Sequence, residues 1–342
     1  MTLGFGLIGY GLWGQHHAQA IREAPGARLA AIACGTEAGA GRARQDWPEV
    51  PVSVGYQALL ARADVDAVAV VVPNHLHAEI GVAALTAGKD VLLEKPMAVT
   101  PEECDRLLAA ARRSGRVLTI GHELRLSAQW GRIKQIVDAG EIGDPLYVSI
   151  ALFRFPYRPG SGGWRYAAGQ VGSWIHEEPV HAFDSALWYL EAAGDPLSIL
   201  AVGNSKGRDP GLYDNVSALL RFAGGRYALI TQTLGGFEYH STTEVVGTDG
   251  ALRAWWSGAL DRTLHPTFDL RVQRRGAAAP EVLPVARSGE VFELKEELAQ
   301  VVTAFQERRP LVSGEEGRKR VVLCCEAERS IREARELPLT FG

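Results

Sequence analysis

Leu3-Gly4-Phe5-Gly6-Leu7-Ile8-Gly9-Tyr10-Gly11-Leu12-Trp13-Gly14 decides the fold of this 342-residue chain. The apolar run Leu3–Ile8 reads as a short buried strand, and residues 16–23 read as helix. The three glycines therefore stand in a strand–turn–helix setting. Gly9 permits the tight turn, Gly11 lets backbone approach a pyrophosphate, and Gly14 allows close packing of helix on strand. The diphosphate then rests at the helix N-terminus. A purely structural glycine turn is the alternative. The strand before it and the helix after it favour a bound dinucleotide, nicotinamide or flavin, which would carry the chemistry.

Outward from this turn, residues 29–34, 67–72, 90–93 and 117–120 read as further short strands. Helical stretches cover 80–87 and 101–114, the latter opened by Thr100 as N-cap, Pro101, Glu102 and Glu103. Such alternation predicts an α/β Rossmann domain, a doubly wound parallel sheet, over residues 1–121. The pattern then changes. A helix at 133–139, a strand at 146–155, a Gly/Pro/Arg-rich loop at 156–172 and a helix at 179–192 precede six strand-like segments. These lie at 198–203, 216–222, 227–234, 242–247, 252–256 and 268–273, and helices follow at 292–308 and 314–335. Residues 122–342 thus read as an α+β domain with a large, mostly antiparallel open sheet, its C-terminal helix packing back on the first domain.

Composition narrows the partners. A net charge of −4 with interspersed signs offers no basic stripe for nucleic acid. No apolar stretch approaches the roughly 20 residues of a membrane span, and the early first strand leaves no room for a secretory signal. Cys34, Cys104, Cys324 and Cys325 form no CxxC pair, which suits a reducing cytoplasm. His75 and His77 lack acidic or thiolate neighbours in sequence, so no metal is expected.

The second strand ends at Cys34-Gly35-Thr36, where a ribose-binding acid would normally stand. Without that carboxylate a 2′-phosphate is not repelled, Thr36 can donate to it, and Arg42 and Arg44 lie close in sequence. Glu37 is the counter-argument. The reading favours NADP(H) over NAD(H).

Three more motifs carry chemistry: Val71-Val72-Pro73-Asn74-His75-Leu76-His77, Glu94-Lys95-Pro96, and Glu177-Glu178-Pro179-Val180-His181-Ala182-Phe183-Asp184. The first two fall at strand C-termini, where ligands of parallel sheets bind. Asn74 and His77 contact the cofactor or else cap the next helix.

Together with Gly163-Trp164-Arg165, Val246-Gly247-Thr248-Asp249-Gly250 and the stretch from Arg309-Pro310 to Ser330, these motifs make the chain resemble the glucose–fructose oxidoreductase, inositol dehydrogenase and rhizopine-catabolism (Gfo/Idh/MocA) family over nearly its whole length. The resemblance implies hydride transfer between a nicotinamide and a ring hydroxyl or ketone of a sugar or cyclitol. It implies Lys95 and His181 as the catalytic pair, with Glu177 where the family usually has aspartate. Glu178 competes with Glu177 for that place, because Pro179 favours a helix start there. Lys95 is expected to have a lowered pKa beside the oxidised ring, and His181 to titrate near physiological pH.

For the cofactor the resemblance implies the whole turn (Gly9, Tyr10, Gly11, Leu12, Trp13, Gly14), then Cys34, Gly35, Thr36, Pro73, Asn74, His77, Glu94, Lys95, Pro96 and His122. The bond before such a proline is cis in many members. Substrate contacts are sought among Arg125, Arg154, Tyr157, Arg158, Trp164, Arg165 and Trp174, besides Lys95, Glu177 and His181. Aromatic faces stack on sugar rings and guanidinium groups bind hydroxyls or carboxylates.

The family's habit is a homo-oligomer, dimer or tetramer, joined through the open sheet, where Trp255 and Trp256 face opposite sides of one strand. Two other functions stay open: a redox-neutral NAD-dependent glycosidase, and a non-catalytic sugar or nicotinamide sensor. The joint presence of Lys95 and His181 argues against the sensor.

Overall fold

The computed structural model describes residues 2–207, 211–236 and 238–342. The first sheet is built from β1 (Leu3–Ile8), β2 (Ala27–Cys34), β3 (Val52–Val54), β4 (Ala67–Val70), β5 (Asp90–Glu94) and β6 (Leu118–Gly121). All its pairings are parallel, in the order β3-β2-β1-β4-β5-β6. Helices α1 (Leu12–Glu23), α2 (Glu37–Asp46), α3 (Gln57–Leu60), α4 (His77–Thr86) and α5 (Pro101–Ser114) link the strands. This is the dinucleotide-binding order, with its switch point between β1 and β4.

Register explains why the motif residues converge. Ile8 pairs with Val70 and Val70 with Leu93, which pairs in turn with Ile120. Each motif begins one residue past that row, at Gly9, Val71, Glu94 and Gly121, so all of them emerge along one edge of the sheet.

Helix α1 starts four residues earlier than the apolar pattern suggests, and β4 ends at Val70 instead of residue 72. Helix α2 and strand β3 go unseen in the sequence. Two glycines weaken the helical propensity of α2, but Thr36 accepts a hydrogen bond from Gly39 N at 3.1 Å and Ala40 and Ala43 are buried. Helix α5 is capped as its sequence suggests, Thr100 accepting from Glu103 N.

Beyond β6 come α6 (Trp130–Asp138), β7 (Pro145–Phe153), α7 (Ala168–Val171) and α8 (Pro179–Tyr189). Strands β8 (Ser198–Asn204), β9 (Asn215–Arg221), β10 (Tyr227–Thr233), β11 (Tyr239–Gly247), β12 (Gly250–Gly258), β13 (Thr267–Arg274) and β14 (Glu281–Val282) follow. Helices α9 (Glu290–Gln306) and α10 (Gly314–Glu333) and strand β15 (Leu337–Pro338) close the chain. The nine strands order as β14-β13-β12-β11-β7-β10-β9-β8-β15, antiparallel except for β7 with β10.

One face of this sheet buries Val148, Ile150, Ala218, Ile230 and Leu252 against Ile133, Ile136, Val180, Phe183 and Leu323 from α6, α8 and α10. Fully buried aliphatic side chains of this kind contribute about 1.5–3 kcal/mol each. The opposite face carries Tyr147, Tyr227 and Val246 without a covering helix, the two tyrosine rings 4.8 Å apart. Trp256 is core and Trp255 is half-buried.

The C-terminal helices return to the first sheet. Phe305 of α9 stacks on Phe5 of β1, with Leu298 and Val301 buried beside it. Helix α10 lies so close to β6 that Gly317 has room for no side chain: a Cβ there would stand 2.7 Å from Ile120. No helix among the described residues is long and apolar enough to cross a membrane.

Candidate active site

The glycine turn is shaped by contact. Gly9 has φ +106°, and a Cβ there would lie 2.0 Å from the Val71 carbonyl oxygen. A Cβ at Gly14 would lie 2.1 Å from the Gly9 oxygen, so helix and strand touch there. Around Gly11 the Cβ side is open space. Gly11 is also the N-cap of α1, without a side-chain cap, and the first turn holds no acid. Free N–H groups and the positive helix end thus face the space where a diphosphate fits.

Gly11→Ala should therefore leave the melting temperature unchanged yet weaken NAD⁺ and NADP⁺ binding in a fluorescence titration. Gly9→Ala should in addition cost about 1–3 kcal/mol of stability through backbone strain. Wild-type affinity in the Gly11 variant would remove the turn as phosphate cradle.

Side chains of the turn serve other ends. The Tyr10 hydroxyl donates to Asp46 (2.9 Å) and accepts from Trp47 (2.8 Å), locking the turn to α2. Leu12 is exposed, and Trp13 donates to Glu94 Oε1 at 2.9 Å. At the far end Cys34 is buried, which pushes its thiol up, while Arg42 and Arg44 pull it down. Gly35 has open space beside it, and Glu37, the first residue of α2, pairs with Arg44 at 3.4 Å.

At the other end of the edge, Glu94 receives Trp13, His17 at 2.8 Å and the Lys95 backbone N–H at 3.2 Å. Burial pushes its carboxyl up, but His17 and Lys95 hold it well below the usual range. The Lys95–Pro96 peptide is cis. His77 sets its ring nitrogens 2.6 Å from the Pro96 oxygen and 2.8 Å from the Val72 oxygen, tying the two motif loops together. His77 therefore faces protein carbonyls instead of a ligand, and no group of three metal-binding side chains occurs among the described residues.

Lys95 Nζ donates to the Glu177 carbonyl at 2.7 Å. Burial lowers its pKa, but Glu178, Glu177, Glu123 and Glu290 outweigh that, so the ammonium ion is held up rather than lowered as the sequence suggested. His181 is buried and its Nδ1 has no partner. Burial and the Lys95 charge bring it down to about 3, well below the physiological titration expected of it. His122 meets it edge-on at 6.0 Å and is likewise pushed down, to about 4, by burial.

The two competing acids divide their work. Helix α8 begins at Pro179 with Glu178 as N-cap, leaving Glu177 in the preceding loop. The Glu177 carboxylate accepts from Asn74 Nδ2 (3.0 Å) and Arg165 Nε (2.6 Å), so it fastens the β4 loop to the second sheet's loops. Asn74 also donates to the Val171 carbonyl at 3.0 Å, and its amide is consumed by protein contacts. Glu178 instead pairs with Arg154 at 2.6 Å and lines, with His181, Tyr239, Trp256, Asp261 and Glu290, a cavity of about 70 Å³. Neither carboxylate hydrogen-bonds the His181 ring; the His181 backbone N–H donates to the Glu178 carbonyl at 2.9 Å.

Of the expected substrate contacts, several are corrected. Arg125 is clamped by both oxygens of Asp184 (2.6 and 2.8 Å) and by Glu316 (2.8 Å), away from the cavity. Tyr157 is buried, donating to Gln232 at 3.0 Å, and Trp164 packs in the same small aromatic core as Tyr157 and Trp174. Arg165 covers Trp164 at 4.5 Å while holding Glu177. Arg154 is sandwiched by Tyr157 and Tyr239 at 4.5 and 5.1 Å.

Sequence reasoning missed Glu123, Tyr239, Asp261, Arg262 and Glu290. Only Glu123, adjacent to His122 at a strand end, carried a positional signal.

Residues 3–122 match the model of an oxidoreductase family with an NAD-binding Rossmann fold, and residues 130–253 match the GFO/IDH/MocA C-terminal domain. The 1,5-anhydro-D-fructose reductase of Ensifer adhaerens is 33% identical over 68% of this chain and 69% of its own. Inositol 2-dehydrogenase 2 of Saccharopolyspora erythraea is 30% identical over 84% and 79%. Two solved structures share the fold across 99% of this chain and 100% of theirs, each at 23% identity. One is aldose-aldose oxidoreductase from Caulobacter crescentus, at a TM-score of 0.85. The other is levoglucosan dehydrogenase with NADH and L-sorbose, at 0.83. A glycine turn on the strand order above, followed by a second sheet that matches its own domain model, leaves one conclusion: this chain belongs to the Gfo/Idh/MocA family of NAD(P)-dependent oxidoreductases.

Proposed function

We propose that this protein transfers a hydride between the nicotinamide of NADP(H), in preference to NAD(H), and a hydroxyl-bearing or ketone carbon of an uncharged sugar or cyclitol. The observation that carries the reading is that the Lys95 charge, at the end of β5, acts on His181 of α8, whose side chain borders the cavity. The cofactor, when bound, supplies the hydride acceptor or donor. Lys95, kept charged chiefly by Glu178 and Glu177, stabilises the developing alkoxide, and neutral His181 exchanges the hydroxyl proton. Tyr239 and Trp256 offer aromatic faces to a ring.

Substrate charge follows from the pairing of the arginines. Arg154 and Arg165 are engaged by Glu178 and Glu177, and Arg262 lies 3.5 Å from Glu290, so these three guanidinium groups already face carboxylates of the protein, which favours an uncharged substrate. NADP(H) is favoured by the absence of an acid at Cys34–Thr36 and by the pairing of Glu37 with Arg44. The uncovered sheet face with Tyr147, Tyr227 and Val246 suits a second copy of the chain, and the four free cysteines suit a cytoplasmic setting.

Incubating the protein with NAD⁺ or NADP⁺ and matched neutral and anionic sugars or cyclitols, and following reduced-nicotinamide absorbance, tests all of this together. Turnover is expected with neutral members and NADP⁺, and with none of the sugar acids or phosphates. Better turnover of a sugar phosphate than of its parent sugar would sink the charge argument.

A further inference from the structure

Glu123 follows His122 at the end of β6 and is 2% exposed. Its Oε1 lies 3.8 Å from His181 Nε2, beyond a hydrogen bond, and is the carboxylate oxygen facing that nitrogen. Its Oε2 receives no hydrogen bond, and His181 Nδ1 makes none. A buried carboxylate ion without donors is costly, and an imidazolium–carboxylate pair sealed in the protein without hydrogen bonds is costlier still. The neutral pair, carboxylic acid beside imidazole, avoids both penalties.

The neighbours push the same way. Glu94 on β5 and Glu297 and Glu290 on α9 push the Glu123 carboxyl further up, and Lys95 pulls it down. Glu297 is itself buried, its Oε2 also without a partner. His122, the adjacent residue, has no partner at either ring nitrogen and adds no donor.

Building on the function proposed above, we infer that Glu123 is the proton-holding partner of His181, storing on its carboxyl the proton that the site exchanges with the substrate oxygen. In ketone reduction the proton moves from Glu123 through His181 to the substrate oxygen in one concerted relay as hydride reaches the carbon, so that His181 begins and ends neutral. Glu123 is left as carboxylate and the ketone as alcohol. In oxidation the hydroxyl proton passes to His181 and on to the Glu123 carboxylate as hydride leaves. Glu123 acts through His181 and is a positioning residue.

The raised carboxyl of Glu123 and the lowered imidazole of His181 both leave the proton on Glu123 at neutral pH. Oxidation, which needs the carboxylate, should therefore gain on the alkaline side, and reduction should fade there.

Infrared titration of the protein without substrate or cofactor tests the proton's location directly. A protonated-carboxyl stretch present at about pH 7 in the wild type and missing in Glu123→Gln is expected. Nitrogen-15 spectra of histidine-labelled wild-type protein read the same pair without relying on a variant, and should show His181 neutral at about pH 7. In turnover, Glu123→Gln should keep the wild-type KM and lose the alkaline ionisation of oxidative kcat. A carboxyl band unaffected by Glu123→Gln, or an imidazolium at His181, would overturn the inference. The spectra decide this even if no substrate turns over, so failure of the hydride-transfer reading would show separately.

Discussion

Asp184→Ala is expected to cost about 3–5 kcal/mol of folding stability, seen as a lowered urea midpoint with an unchanged slope. Asp184 sits on α8, three residues past His181, and is almost wholly buried. Its Oδ1 accepts from Arg125 Nη2 at 2.6 Å and from Arg320 Nε at 2.8 Å, and its Oδ2 accepts from Arg125 Nε at 2.8 Å. Burial alone would push the carboxyl up, but Arg125, His122 and Arg320 hold it well below the usual range. Removing it strands two largely buried guanidinium groups with Glu316 as their remaining anion.

The same cluster ties α8 to α10 and to the segment after β6, so the helix carrying His181 loses its fixed seat as well. Asp184→Asn, which keeps the shape and one acceptor, should cost less. A loss under about 1 kcal/mol for the alanine variant would show the cluster to be no better than a surface pair.

This cluster marks where sequence reading stops. The glycine turn, the Glu94-Lys95-Pro96 motif and the strands around them are legible because strand, turn and helix signals lie within a few residues of one another. Arg125 is not. Residue type gives its valence, but its partners Asp184 and Glu316 stand 59 and 191 positions away. Tyr157, Trp164 and Arg165 mislead for the same reason: an aromatic or a guanidinium in a loop suits a sugar and a small core equally well.

Glu177 and Glu178 could not be separated by spacing. Their roles depend on which of them faces Arg165 and which faces Arg154, both set by tertiary packing. The acids around Lys95 are not legible in sequence because three of the four, Glu123, Glu178 and Glu290, come from parts of the chain with no motif of their own or from that unresolved pair.

Lys95→Ala carries the largest expected kinetic effect, a fall in kcat of about 10²–10⁴-fold on the best neutral substrate. The size follows from what Lys95 balances. Glu178 and Glu177 act on it most strongly, and in a buried site its ammonium ion is the positive charge set closest to the Glu177 backbone carbonyl. Without it an alkoxide would develop among carboxylates with no positive group beside it. His181 would also lose the neighbouring charge that helps keep its imidazole neutral. Because Lys95 Nζ bonds the Glu177 carbonyl and not the glycine turn, dinucleotide affinity should stay close to that of the wild type. A fluorescence titration with NADP⁺ beside the kcat measurement separates the two. Loss of binding together with turnover would mean that Lys95 holds the cofactor's pocket open, whereas lost turnover with binding intact places its charge on the reacting oxygen.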